Sequence, residues 1–253
     1  MVNEIMALLS DVYAILWVDL RLLKRQWLRT LATSLVNPLL YLVAFGYGLG
    51  RGISFEGYSY LEFVMPGIIA LTAMTSSYNG ASSKLHVDRL FYKCFDEYLM
   101  APVSFVSIVI GKTLVGVIRG LISTLTILVV GYALAPEMMV SPLFLTAMVI
   151  SCAVFACFGV LTALTVKSHQ DMGTISTLVI LPMTFLSGTF FSLNSLPTFV
   201  KTVLYVLPLT HSSLCLRASA LGQPFPWPSL AVLTTYGLAF LVACLIILKK
   251  TSV

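Results

Sequence analysis

Of the 253 residues, 58% are hydrophobic and only 10% are charged, with a net charge of +5, against about 25% charged in soluble domains. So few charges exclude a water-soluble surface. The surplus of Lys and Arg does not imply nucleic acid, because in a membrane chain basic residues first report orientation. Crossing a bilayer takes about 20 apolar residues, so the length fits six spans with short connections and leaves no room for a separate soluble domain.

Residues 4–29 do not read as a span. Arg21, Arg25 and Arg29 recur every four residues as a basic stripe, while Leu8, Val12, Leu16, Leu20, Leu23 and Trp27 lie largely elsewhere. That pattern predicts a helix lying in the membrane interface, either as a simple lipid anchor or as an anchor that also docks a partner. Six spans are predicted next, over 31–50, 60–83, 105–134, 142–166, 172–193 and 229–248. Asn37-Pro38, Pro66-Gly67 and Pro182 mark kinks that packed neighbours compensate. Gly116-x-x-x-Gly120 allows close helix approach and is weak evidence for a dimer face. The stretch 194–227 is too polar and proline-rich for a simple span, and short re-entrant or interfacial helices before the last span fit it best.

Lys and Arg divide ten against three between the two sides of this arrangement. The bias places both termini in the cytoplasm and faces 194–227 outward. The one long cytoplasmic loop, 84–102, sets Leu85, Phe91, Phe95, Tyr98 and Leu99 at helical spacing beside Asp88, Arg89, Asp96 and Glu97. A helix with an apolar face and mixed charge suits docking into a groove of a cytoplasmic partner, or packing on the underside of its own bundle.

Arg119 is the most deeply placed charge, about 9 Å below the cytoplasmic surface at 1.5 Å per residue. At that depth it can snorkel, pack, or line a translocation path. Gly111-Lys112-Thr113 lacks the glycine five residues upstream that a phosphate-binding loop requires. Histidines 86, 169 and 211 stand apart, and the five cysteines form no metal-ligand pair. No catalytic or cofactor-binding pattern is present. Two classes therefore remain: a membrane subunit driven by a separate ATPase, or a self-sufficient secondary carrier or channel. Coupled carriers usually show acidic residues in mid-span and related halves, and neither is legible, which favours the driven subunit.

Four strings in order carry a resemblance over essentially the whole chain. They are Asn37-Pro-Leu-Leu-Tyr41 after the interfacial helix, Phe63-Val-Met-Pro-Gly67, and Leu99-Met-Ala-Pro-Val103 followed by Gly111-Lys112. The fourth is Phe185-Leu-Ser-Gly-Thr-Phe-Phe191 with Leu196-Pro197, Pro208-Leu-Thr-His211 and Arg217. In these the chain resembles the ABC-2 type transporter permeases, nearest the nodulation-factor and drug exporter branch. Ser192 departs from the proline often found there. The resemblance implies a single all-α membrane domain over 1–253, in the prokaryotic inner membrane. Residues 4–29 would be a connecting helix, 84–102 a coupling helix, and 194–223 a re-entrant segment that closes the path outside.

By the same likeness, two permease subunits (a homodimer, or a pair of different permeases) join two cytoplasmic ATPases, which hold the ATP and Mg. The permease itself binds no cofactor and moves an amphiphilic drug, lipid or lipid-linked saccharide. Asp88, Arg89, Phe91, Phe95, Asp96 and Leu99 would contact the ATPase, with Arg21, Arg25 and Arg29 on the connecting helix. Asn37, Tyr41, Tyr78 and Arg119 are candidates for the substrate path, the first three being equally readable as satisfied packing groups.

Overall fold

The amphipathic start and the first apolar run are two helical arms that meet at a kink. In the computed structural model, which describes residues 2–49, 54–55, 57–193 and 196–251, α1 runs Val2–Tyr41 and bends where Gln26 leaves helical geometry (φ −119°, ψ 18°). Its buried stripe is Val12, Ile15, Asp19 and Leu23, at the three- and four-residue spacing of one helix face. After Pro38 the helix widens into a π-turn, Leu42–Leu49. Proline withholds a backbone donor, and a widened turn is one way for a helix to absorb that loss. A two-residue hairpin, β1 (Ser54–Phe55) and β2 (Tyr58–Ser59), leads into α2 (Tyr60–Leu90). The first turn of α2 is fixed by Glu62, whose carboxylate accepts from the Ser59 amide at 2.8 Å.

The predicted loop helix is broken. Helix α2 continues to Leu90, Lys93 takes a left-handed conformation (φ 54°), and a separate α3 runs Cys94–Met100. Both Leu85 and Phe95 join one apolar cluster. In a straight helix they would lie about 15 Å apart, so the chain must turn back between them. Next come α4 (Phe105–Leu134) and α5 (Pro142–Thr165), which start on Ser104 and Ser141; each serine oxygen accepts from the amide three residues on. They coincide with the predicted third and fourth spans to within a residue. The predicted fifth span is α6 (His169–Ile175), a π-turn (Ser176–Ile180) and α7 (Leu181–Leu186), the widened turn lying just before Pro182. Short helices α8 (Thr198–Leu204) and α9 (Pro208–Ala220) meet at 97°, and α10 (Trp227–Thr251) closes the chain.

The fold is all-α apart from the small hairpin. Among the described residues three helices, α4, α5 and α10, are long and apolar enough to cross a membrane, or up to four if the bent α8–α9 pair is one span. Helix α2 falls outside that set for a physical reason. It is buried nearly all round, Thr72, Ser77 and Ser82 included, so protein rather than lipid surrounds its polar groups.

Association of apolar helices in lipid depends on close packing rather than on expelling water. At Gly116 of α4 an added Cβ would fall 2.7 Å from Ala81 Cβ, 2.8 Å from the Ser77 carbonyl oxygen and 2.9 Å from Ala156 Cβ. The Gly116-x-x-x-Gly120 surface thus seats α4 on α2 and α5 of its own chain. Gly116→Val should force these helices apart and lower stability by about 1–3 kcal/mol, as overpacking does. Thermal unfolding of the purified protein checks this, and an unchanged melting temperature would refute the seating.

Candidate functional site

The end of the bundle where Lys84, Arg89, Lys249 and Lys250 gather, here called the basic end, holds a buried ion cluster. Asp19 on α1 is 1% exposed and Lys112 on α4 is 3% exposed. Lys112 Nζ donates to Asp19 Oδ2 at 2.8 Å, and Lys84 on α2 donates to the other carboxylate oxygen. Asp88 lies 3.9 Å from Lys84 and 4.0 Å from Lys112. Burial alone would raise the Asp19 carboxyl; the Lys112 and Lys84 ammonium groups outweigh it and hold the group below the usual carboxylate range. Lys112 also sits 5.0 Å over the Tyr98 ring of α3. One carboxylate thereby ties the N-terminal helix to α2 and α4, with α3 against the same lysine.

The loop residues separate into inward and outward groups. Phe95 is 3% exposed within the cluster of Ile15, Leu85 and Ile108, whereas Phe91 is 67% exposed. Arg89 donates to the Ala163 and Val166 carbonyls at 2.9 and 2.8 Å, satisfying the end of α5. Asp88 turns in to the lysines. The side chains of Asp96 and Leu99 lie outside the described part of the molecule. Arg21, Arg25 and Arg29 are all exposed, with Arg21 4.9 Å over the Trp17 ring.

Beside this cluster His86 Nε2 and His169 Nδ1 stand 3.1 Å apart, joining α2 to the start of α6. The pair needs one donor and one acceptor, so it holds only while a ring is neutral. Burial, then the neighbouring His169 and Arg89, push the His86 pKa down. A depressed folded pKa means stability that is present above the ordinary histidine value of 6.5 and lost as the pH falls from there through the folded value. Thermal stability should therefore drop between about pH 7.5 and about pH 5.5, and His86→Asn should flatten that part of the profile. An identical drop in the variant would assign the effect to other groups.

Above the basic end, α1, α2 and α4 enclose a polar cleft of 340 Å³ lined by Arg29, Asn37, Thr75, Asn79 and Arg119 among others. Asn37, Tyr41 and Asn79 also line a neighbouring cleft against Ser176 and Thr184, and Asn79 a third beside His169. Of the predicted path residues, Asn37, Tyr41 and Arg119 come to these clefts. Tyr78 is 1% exposed; it reaches the rim of the third cleft, with its ring 5.6 Å from Phe158. Asn79, one position on and exposed, is the residue common to all three.

At the opposite end Arg217 of α9 ties the second of the recognised strings to the fourth. Its Nε donates to the Phe63 carbonyl at 3.1 Å, and its Nη2 to the Gly188 and Thr189 carbonyls at 2.9 and 3.1 Å. The guanidinium lies 3.9 Å over the Phe63 ring. Gly67 leaves room for the turn, since a Cβ there would fall 2.7 Å from the Thr189 oxygen. The model of the ABC-2 type transporter family matches residues 10–221.

The chain belongs to the ABC-2 type transporter family.

An ABC-2 permease is the membrane subunit of an ABC exporter and lacks the ATPase domain. Membership thus decides between the two classes that the residues alone left open. Similar proteins include the inner membrane transport permease YadH of Escherichia coli K12, 28% identical over 230 residues, covering 89% of this chain and 90% of that one. Nodulation protein J of Rhizobium meliloti is 30% identical over 203 residues, 79% and 78% of the two chains. Nodulation protein J of Neorhizobium galegae is 26% identical over 199 residues, 78% and 76%. Among the described residues no group of three or more His, Cys, Asp or Glu is placed to hold a metal ion. Sequence reasoning overlooked Asp19, Lys84 and Asn79. For Asp19 a signal existed: an acid on the stripe of Val12, Ile15 and Leu23.

Proposed function

We propose that this permease moves an amphiphile (a drug, a lipid or a lipid-linked saccharide) across the inner membrane, paired with a second copy of itself and two ATPase subunits that hold ATP and Mg. The observation that carries this reading is the set of polar clefts along α1, α2 and the α6–α7 segment, lined chiefly by amides and hydroxyls. Polar groups bordered by apolar helix faces suit a ligand with a polar head and an apolar body. Six spans, with both termini in the cytoplasm, agree with the gathering of basic residues at one end.

In this arrangement residues 4–29 act as the connecting helix and the 84–102 segment as the coupling element. The α8–α9 bend, within 194–223, is the re-entrant segment that closes the outer end. Phe91, exposed beside α3, is the group that meets the ATPase; Phe95 carries the push inward to Ile15 and Ile108.

The test is co-purification with the partner ATPase, followed by hydrolysis assays with and without the permease. Phe91→Asp should leave the permease folded while removing its influence on hydrolysis. Phe95→Asp should lower stability as well, because it buries a charge. Full coupling in Phe91→Asp would overturn the assigned contact, and hydrolysis indifferent to every amphiphile would overturn the substrate class.

A further inference from the structure

The polar cleft between α1, α2 and α4 has an unusual charge balance. Two arginines, Arg29 and Arg119, line it, and no carboxylate does. Asp19, the buried acid on α1, is already engaged by Lys84 and Lys112. Arg119 Nε is buried without a hydrogen-bond partner among the described residues. An ionised group at membrane depth is normally paired. Gly80 forms the floor under the Arg119 stem, since a Cβ there would fall 3.0 Å from Arg119 Cβ and Cδ, so the side chain lies along α2.

The hydroxyls around the cleft are partly committed. Thr33, Ser34 and Thr75 each donate to a carbonyl of their own helix. The two guanidinium groups and the amides of Gln26, Asn37 and Asn79 add donors to those of Thr30, Ser76 and Ser83, a set suited to an anion. Arg119 and Thr30 also belong to the wall of an adjoining apolar niche of 90 Å³, with Leu23, Trp27, Leu31 and Ile122. A cationic cleft and an apolar niche thus share a wall, and the exposed Arg21–Arg25–Arg29 stripe leads to it.

We propose that this paired site binds an amphiphile with an anionic, phosphate-like headgroup, the headgroup held between Arg29 and Arg119 and the chain lying over Trp27 and Ile122. The proposal rests on the amphiphile reading above and narrows it to an acidic class. The bound molecule is either cargo waiting in the cytoplasmic leaflet or a resident acidic lipid; the headgroup chemistry is the same.

Trp27 is a built-in reporter. The chain has three tryptophans, and replacing Trp17 and Trp227 with phenylalanine leaves it alone. In phosphatidylcholine bilayers, phosphatidic acid with brominated chains should quench Trp27 at about fivefold lower concentration than brominated phosphatidylcholine, the factor one arginine supplies near a membrane surface. Arg119→Gln and Arg29→Gln should each remove the preference, while Arg119→Lys keeps part of it. Arg21→Gln, outside the cleft, should retain it in full. Equal quenching by both lipids, or equal loss in Arg21→Gln and Arg119→Gln, would overturn the proposal.

Because quenching is read without ATP, such a failure leaves the amphiphile reading intact. That reading fails separately, if hydrolysis by the complex ignores amphiphiles while Trp27 is still quenched. With ATPase and ATP added, decay of the quench during turnover identifies cargo; persistence identifies a resident lipid. Either outcome supports the site.

Discussion

Asp19→Asn should lower the stability of the permease by about 3–5 kcal/mol, the range found when one partner of a buried ion pair is removed, and should abolish export. Asp19 and Lys112 are 1% and 3% exposed, so neither can exchange its partner for water. Without the carboxylate, Lys112 keeps Asp88 at 4.0 Å and the Tyr98 ring at 5.0 Å, and two lysines remain close together. Lys84 is 25% exposed and can turn outward, which makes Lys84→Met the mildest of the set. Lys112→Met should be as harmful as Asp19→Asn, because it strands the acid. The double variant Asp19→Leu/Lys112→Met should recover much of the loss, since apolar groups of similar volume often replace a buried pair without penalty. Melting temperatures of the four variants, with export measured in parallel, check this. Full stability in Asp19→Asn would show that the cluster contributes nothing. A double variant that is stable but cannot export would assign the cluster to coupling.

Arg217→Met should open the opposite end. Its guanidinium bonds three carbonyls on two segments and stacks on Phe63, and each hydrogen bond to a charged group is worth about 1.5–3 kcal/mol. Allowing for partial replacement by water, a loss of about 3 kcal/mol corresponds to roughly a hundredfold shift in the local opening equilibrium. Arg217→Lys should rescue little, because an ammonium cannot span the same carbonyls while lying flat on a ring. Thr189 is fully buried, so a Thr189→Cys probe should react slowly with a water-soluble maleimide in the parent and far faster beside Arg217→Met. Equal rates in the two backgrounds would remove Arg217 from that role.

Much of the helix order was legible because it depends on local chemistry. Ser104 and Ser141 cap α4 and α5, and long, predominantly apolar runs follow them. The phase of α2 was not legible. A helix buried on nearly every side has no polar face by which its rotation can be set, so the sequence does not distinguish the buried Tyr78 from the exposed Asn79. Phe91 and Phe95 share a face only if the helix continues, and the left-handed Lys93 that separates them has no sequence signature of its own. The short outer strings were recognisable as strings, yet their reason lies in three dimensions, where Arg217 joins Phe63 to Gly188 and Thr189. Asp19 was visible as an acid on an apolar stripe, but its partners stand 65 and 93 residues away.

The all-round burial of α2 also has a bearing on how the protein is made. A helix carrying Thr72, Ser76, Ser77 and Ser82 on buried surfaces is poorly matched to bare lipid, and α4 and α5, which cover it, are translated only afterwards. At ribosomal speeds of about 5–20 residues per second, the roughly 75 residues between the end of α2 and the end of α5 take about 4–15 s to appear. During that interval the nascent helix must be sheltered by the insertion machinery or held at the membrane surface, so biogenesis of this permease has a waiting step that its most apolar helices do not share.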